Sequence, residues 1–432
     1  MSQAAAPPPA PTAQGAPKAA AVIRGVFSDT PGRMRLLGAL AALAALLFGA
    51  VAVVTLLADR AAASRASETT AQVVRVQGVY ADLLLADATA TNGFLVGGLE
   101  PPEQRATYEQ AMDRVVRGIA AAAQAQPADG TALAALSTHV QSYGQLVEQA
   151  RAYNRQGLPV GAQYLTLASD GLRADAVPVL TALVEANTAR SAGELDRAGM
   201  WWPLALAGLL TLGVLAAVLA WLAKRTHRYV NVPIAAAAAA VAVALGAGLT
   251  AIWSAGNAIQ TTRDDQLAAT VALAGARTAA YDAKANESLT LIKRGSGAAF
   301  ETKWQAAATS VKTALADLDA LPSGKAAAAQ LASSWSTYVG AHQAIRAADD
   351  GGSWDSAVTK ASATGPATAN GSFAAFDTTS ADAVDLVGTD ATARLGAAGD
   401  GLRTSLILAV LAALAAAALA LRGVSQRIEE YR

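Results

Sequence analysis

Apolar runs and amphipathic stretches alternate along this chain, and the alternation occurs twice. Four runs, 36–57, 201–223, 232–253 and 404–421, are apolar on every side. A helix needs about 20 such residues to cross a hydrocarbon core about 30 Å thick. Between the first pair of runs lies 58–200, and between the second pair 254–403. In these stretches the apolar positions recur every three or four residues, as on one face of a helix. Val73, Val76, Tyr80, Leu83, Asp87, Ala90 and Phe94 follow that spacing, and so do Leu133, Leu136, Val140, Tyr143 and Val147.

Turn residues cut each stretch into four helices. Gly97-Gly98 before Pro101-Pro102, then Pro127-Ala128-Asp129-Gly130 and Gly157-Leu158-Pro159, divide the first. Gly295-Ser296-Gly297, Pro322-Ser323-Gly324 and Asp349-Asp350-Gly351-Gly352 divide the second. Proline serves the first turn of a helix and glycine the position past its end. Thr364-Gly365-Pro366 and Asn370-Gly371 predict a further kink or loop in the last helix. The expected fold is all-α: four transmembrane helices carrying two tandem extracytoplasmic four-helix bundles. The first bundle helix should grow directly out of the first span.

The two halves superimpose at an offset of 195. Asp87 falls on Asp282, Pro127 on Pro322, Leu136 on Leu331, Tyr143 on Tyr338, Arg151 on Arg346 and Gly157 on Gly352. A constant period of this kind points to internal duplication.

Composition sharpens the membrane reading. The 432 residues are 53% hydrophobic and only 15% charged, with no cysteine, so disulfides and thiolate metal sites are out. Net charge is zero, and the chain as a whole has no nucleic-acid footprint. Trp201, Trp202, Trp221 and Trp253 stand at the ends of runs, as interfacial belts do. Basic residues then give orientation. The turn 224–231 carries Lys224, Arg225 and Arg228 and no acid, and both termini are net basic where they meet a span. The positive-inside rule therefore puts both ends and this turn in the cytoplasm of a multi-pass plasma-membrane protein. Residues 1–20 read as a disordered tail, 21–35 as a membrane-flanking segment with Val22, Ile23, Val26 and Phe27 on one face, and 422–432 as a short tail.

Candidate chemistry is sparse. Asp87 and Asp282 stand at seam positions, where an unpaired carboxylate is costly. Each is expected to bond a tyrosine on the third helix of its bundle, Tyr143 or Tyr338, with Arg151 and Arg346 a little further along. Buried clasps that set helix register and small-ligand contacts are both open at these positions. Asn92, Asn286 and Glu287, nearer the ends of the first helices, either meet a ligand or partner or solvate the bundle tips. Enzyme signatures are missing: the three histidines form no ligand pair on one helix, and no nucleophile or phosphate loop has a recognisable setting. The middles of the spans hold no acid or base, against an ion pathway. We expect no enzyme, no cofactor and no metal.

Bundles flanked by spans resemble the sensor halves of bacterial chemoreceptors and sensor kinases, but those carry a large signalling module that this sequence does not show. The chain resembles more closely the actinobacterial GlnX-like four-pass membrane proteins. The likeness rests on Ser28-Asp29-Thr30-Pro31-Gly32-Arg33, Thr91-Asn92-Gly93-Phe94-Leu95-Val96-Gly97-Gly98 and Ala285-Asn286-Glu287-Ser288-Leu289-Thr290-Leu291, and the Ala- and Pro-rich composition suits a high-GC actinobacterium. The resemblance implies two partners, an extracytoplasmic lipoprotein that binds glutamate, aspartate or asparagine and the soluble Ser/Thr protein kinase G. It implies a signal transducer; on the short basic segments Arg33, Lys224, Arg225, Arg228 and Arg427 are the candidate output residues, and a homodimer is possible. Two other readings remain: a chemoreceptor-like sensor that binds a small solute directly, and a structural envelope protein.

Overall fold

The computed structural model describes residues 30–95, 100–195, 200–226 and 231–429. The expected tail over 1–20, most of the 21–35 flank, the Gly97-Gly98 stop, residues 227–230 of the central turn with Arg228, and the last three residues lie outside the described residues. Among the described residues the chain is helical with short breaks and no strand. The elements are α1 (Thr30–Leu95), α2 (Pro102–Ala125), α3 (Gly130–Arg155), α4 (Val160–Gly171), α5 (Val177–Leu195), α6 (Trp202–Thr226), α7 (Val232–Thr261), α8 (Ala268–Ile292), α9 (Ala298–Asp319), α10 (Lys325–Asp350), α11 (Trp354–Ser362) and α12 (Ala369–Glu429). Two π-helical turns, Leu172–Ala176 and Thr262–Leu267, join α4 to α5 and α7 to α8 without interrupting the rod.

The helices fall into two compact units. One comprises Met1–Leu57, Met200–Ile252 and Leu402–Arg432. It holds the apolar parts of four helices that are long and apolar enough to cross a membrane. Large apolar side chains on them are exposed, Leu47 at 56%, Leu209 at 63% and Leu411 at 60%, as suits helices whose outer faces meet lipid. Small residues let these helices approach closely. A Cβ added at Gly49 would lie 2.6 Å from Ala413 Cβ, and one at Gly208 2.6 Å from Leu245 Cδ2. Thr211 Oγ1 donates to the Ala44 carbonyl at 3.0 Å, and Asn231 Nδ2 to the Gly423 carbonyl at 2.8 Å. The Thr211 bond satisfies a hydroxyl within an apolar helix that lipid would leave unpaired.

The second unit comprises Ala58–Gly199 and Trp253–Gly401. It contains two sets of four helical rods: the later part of α1 with α2, α3 and α4–α5, then α8, α9, α10 and α11 with the first part of α12. Their buried apolar side chains make one contiguous cluster. The continuity expected of the first helix is present, since α1 runs 66 residues without a break. Punctuation falls where expected as well. Pro102 opens α2, and Gly157 and Gly352 follow α3 and α10 at φ 70° and 76°, a left-handed conformation that glycine adopts without strain. The predicted break near Pro366 appears as the gap between α11 and α12.

Burial recurs between the two sets of rods at more than one offset. On α3 and α10, burial recurs at 195: Leu136 with Leu331, Val140 with Trp335, Tyr143 with Tyr338 and Val147 with His342. On α2 and α9 it recurs at 196, pairing Tyr108 with Trp304, Val115 with Val311 and Ile119 with Leu315. On α1 and α8 it recurs at 197, pairing Val76 with Leu273, Leu83 with Ala280 and Asp87 with Lys284. The expected match of Asp87 with Asp282 is therefore corrected. Two residues turn a helix by about 200°, so Asp282 points away from the core of its own bundle.

Candidate functional site

Asp87 is fully buried, and three helical rods converge on it. Its Oδ1 accepts the Ser169 hydroxyl at 2.6 Å and the Tyr143 hydroxyl at 3.4 Å. Its Oδ2 accepts Arg173 Nη1 at 2.8 Å. The expected bond between Asp87 and Tyr143 is thus present. Burial first, and then the Asp87 charge, push the Tyr143 hydroxyl well above the usual phenol range, so it stays a donor.

Arg173 does more than serve Asp87. Its Nη2 lies 2.7 Å from Asp282 Oδ1 on α8. One guanidinium, on the π turn after α4, therefore spans two aspartates from the two bundles. Burial works against its charge, but Asp87 and Asp282 together hold its pKa above the ordinary arginine value. Asp282 is raised by burial, an effect that Arg173 opposes. Two carboxylates against one cation leave this cluster an acid in excess.

The expected pair of Asp282 and Tyr338 does not form. Tyr338 instead accepts Trp304 Nε1 at 3.2 Å, and the Lys284 ammonium lies 5.7 Å from its ring centroid. Lys284 holds the position that Asp87 holds in the first bundle. A buried ionic chain follows from that exchange. Lys284 Nζ donates to Glu287 Oε1 at 2.6 Å, and His342 Nδ1 lies 2.9 Å from Glu287 Oε2. On its other side His342 Nε2 is 3.3 Å from Glu301 Oε2, and its ring stacks on Trp304 with centroids 3.6 Å apart. Burial opposes the charge of Glu287, yet Lys284 and His342 hold its carboxyl down to about 2. Desolvation also opposes protonation of His342, and the adjacent Glu287 and Glu301 carboxylates outweigh it, so its pKa is raised.

Asn286 and Glu287 were expected at a ligand or partner surface or solvating a tip. They are instead 3% and 1% exposed. Asn286 bonds the Asp282 carbonyl of its own helix. The 197 register pairs Glu287 with the buried Ala90. Asn92 is buried and polar-bonded too: its Oδ1 accepts Gln104 Nε2 at 3.1 Å, and its Nδ2 reaches Asn370 Oδ1 of the second bundle at 3.4 Å.

At the end of the first bundle, α1, α2 and α3 enclose a cavity of about 140 Å³. Ala90, Gly93, Phe94, Glu100, Arg105, Arg151, Asn154 and Arg155 line it. Arg151 is its buried floor, stacked 4.0 Å over the Tyr108 ring. Glu100 receives it through Nε and Nη2 at 2.9 Å each, and Glu148 through Nη1 at 2.7 Å. In the second bundle Arg346 is closed off: Asp349 and Asp350 each hold it at 2.5 Å, and Glu301 lies at 3.5 Å.

Of the candidate output residues, Lys224 and Arg225 are exposed at the end of α6, and Arg33 is exposed on the first turn of α1. Arg427 is only 8% exposed, which corrects its expected place on an open output surface. Sequence reasoning missed Ser169, Arg173, Lys284 and His342. The burial period would have found Lys284 had each helix been aligned separately. Among the described residues no group of acids and histidines is arranged to hold a metal ion.

Comparison with known families finds one match: residues 61–196, the first bundle, fit the actinobacterial sensor domain. No curated protein and no solved structure matches the chain. The first bundle is thus similar to an actinobacterial sensor domain, and a sensing role is what this match supports.

Proposed function

We propose that this chain is a non-enzymatic transmembrane signal transducer of an actinobacterial plasma membrane. Both bundles lie outside, and both termini and the 224–231 turn lie inside. An extracytoplasmic lipoprotein loaded with glutamate or aspartate docks on the bundles. Their helices shift, and the spans pass that shift to a cytoplasmic Ser/Thr kinase. The observation that carries the reading is the Arg173 clasp, a hydrogen-bonded ion pair with Asp87 at 2.8 Å and an ion pair with Asp282 at 2.7 Å. Through it a partner that moves one bundle also moves the other. Signalling of this kind needs two arrangements whose balance the partner biases, and a buried ionic contact that is either made or broken is such an element. The sensor-domain match over 61–196 supports the input side, and the resemblance to the GlnX-like proteins supports the choice of partners.

Cross-linking tests it. A photoreactive group placed at Lys224 in intact cells should capture a soluble protein kinase, and one on the first bundle should capture a lipoprotein. Recovery of neither partner from either position would refute the reading.

A further inference from the structure

The positions that close the tip of the second bundle are almost inverted in charge in the first. By the burial registers, Glu287 corresponds to Ala90, Glu301 to Arg105, Asp349 to Asn154 and Asp350 to Arg155, while Arg346 corresponds to Arg151. Around Arg346 they supply three carboxylates, Asp349 and Asp350 at 2.5 Å and Glu301 at 3.5 Å, while Glu287 pairs with Lys284 and His342. Around Arg151 the same positions supply two further bases, an amide and an alanine. The space left over is the cavity of about 140 Å³, about the size of one that takes up a benzene-sized molecule.

We propose that this cavity binds a small solute bearing one or two carboxylates, which takes the place that Asp349 and Asp350 occupy built-in at the other tip. Arg151 is a preset floor. Its side chain is 8% exposed and is fixed by Glu100, Glu148 and the Tyr108 ring. Three of its five N–H groups go to Glu100 and Glu148, which leaves two for a ligand. Arg155 lines the mouth exposed, in the place from which Asp350 reaches Arg346. Arg105 is shared with Glu109 at 2.6 Å and Glu148 at 3.4 Å. Both of those acids are half or more exposed, where water screens them, whereas Glu100 is the one acid in the cavity wall. The wall therefore holds three cations against one anion. Arginine's planar fork suits carboxylate oxygens, and Phe94 with Ala90 offers an apolar side to the carbon skeleton. The site is a direct input, independent of any partner on the outside of the bundles.

Isothermal titration of the full chain in detergent with succinate, glutamate and acetate tests this. At least one carboxylate should bind saturably, and the uncharged diamide of succinate should not. Arg155→Asp installs the acid of the second bundle at an exposed position, and it should weaken binding at least tenfold without changing helicity. Arg105→Gln should also weaken it, and Lys312→Gln on α9 should leave it unchanged. Absence of saturable heat up to about 50 mM of any carboxylate would overturn the proposal, as would unchanged affinity in Arg155→Asp. Inorganic phosphate that bound as tightly as the best carboxylate would overturn the assignment of ligand class. Capture of the lipoprotein or kinase by cross-linking is a separate readout, so either idea can fail alone.

Discussion

Arg173 and Asp282 form an ion pair at 2.7 Å between the two helical bundles, and the same guanidinium holds Asp87 at 2.8 Å. The two partners are unequal. Asp87 is fully buried, whereas the Asp282 side chain is 33% exposed.

That inequality predicts asymmetric variants. Arg173→Met strands a carboxylate that water cannot reach, and loss of one partner from a buried pair costs about 3–5 kcal/mol. Asp282→Asn removes the more solvated partner and should cost about 1 kcal/mol or less. Denaturant unfolding of the purified chain, followed by circular dichroism, measures both. Equal losses in the two variants would show that the clasp does not rest on Asp87.

The His342 cluster predicts a pH profile. The folded pKa of His342 lies above its ordinary value of about 6.5. Its protonated form thus stabilises the fold fully below about 6.5, and that contribution is lost as pH rises through the raised folded value. Glu287 behaves oppositely: held down to about 2, it stabilises above its ordinary range near 4.5 and loses the effect as pH falls toward 2. Melting temperature should therefore decline as pH rises above about 6.5 in the parent chain and stay flatter in His342→Gln. Parallel profiles would mean that His342 is neutral in the fold.

Two glycines should respond oppositely to alanine. A Cβ at Gly371 would collide with the Gly365 carbonyl oxygen, so Gly371→Ala forces the backbone apart where α12 begins. Overpacking of this kind costs about 1–3 kcal/mol or more. Gly340 is exposed within α10, with no other atom near the site of the new methyl group, so Gly340→Ala should stabilise by about 0.5–1 kcal/mol. Differential scanning calorimetry of both variants settles the pair, and a stable Gly371→Ala would contradict the close contact.

Much of this architecture was legible in the apolar pattern. Four all-round apolar runs announced the helices suited to a membrane, and the seam on α3 reads directly as Leu133, Leu136, Val140, Tyr143 and Val147, all buried. Asp87 with Tyr143 was legible because both lie on regular helices whose lengths turn residues mark. The second bundle misled for a geometric reason. The register drifts from 197 to 195 through single residues in the connections, and side chains follow helical phase rather than sequence number. Asp282 consequently exchanged its expected tyrosine for an arginine of the other bundle. Arg173 itself was hidden because its turn departs from the 3.6-residue period on which any reading of helix faces depends.

The π turn at Leu172–Ala176 gives the clasp a particular genetic fragility. Loss of the Leu172 codon there would let the rod relax to an ordinary α-helix, with no proline or frameshift to betray the change. Residue 173 would swing by roughly 100°, away from Asp87 and Asp282, while every helix and both apolar seams survived. A chain altered so slightly would still fold, with the ion pair between its two bundles gone.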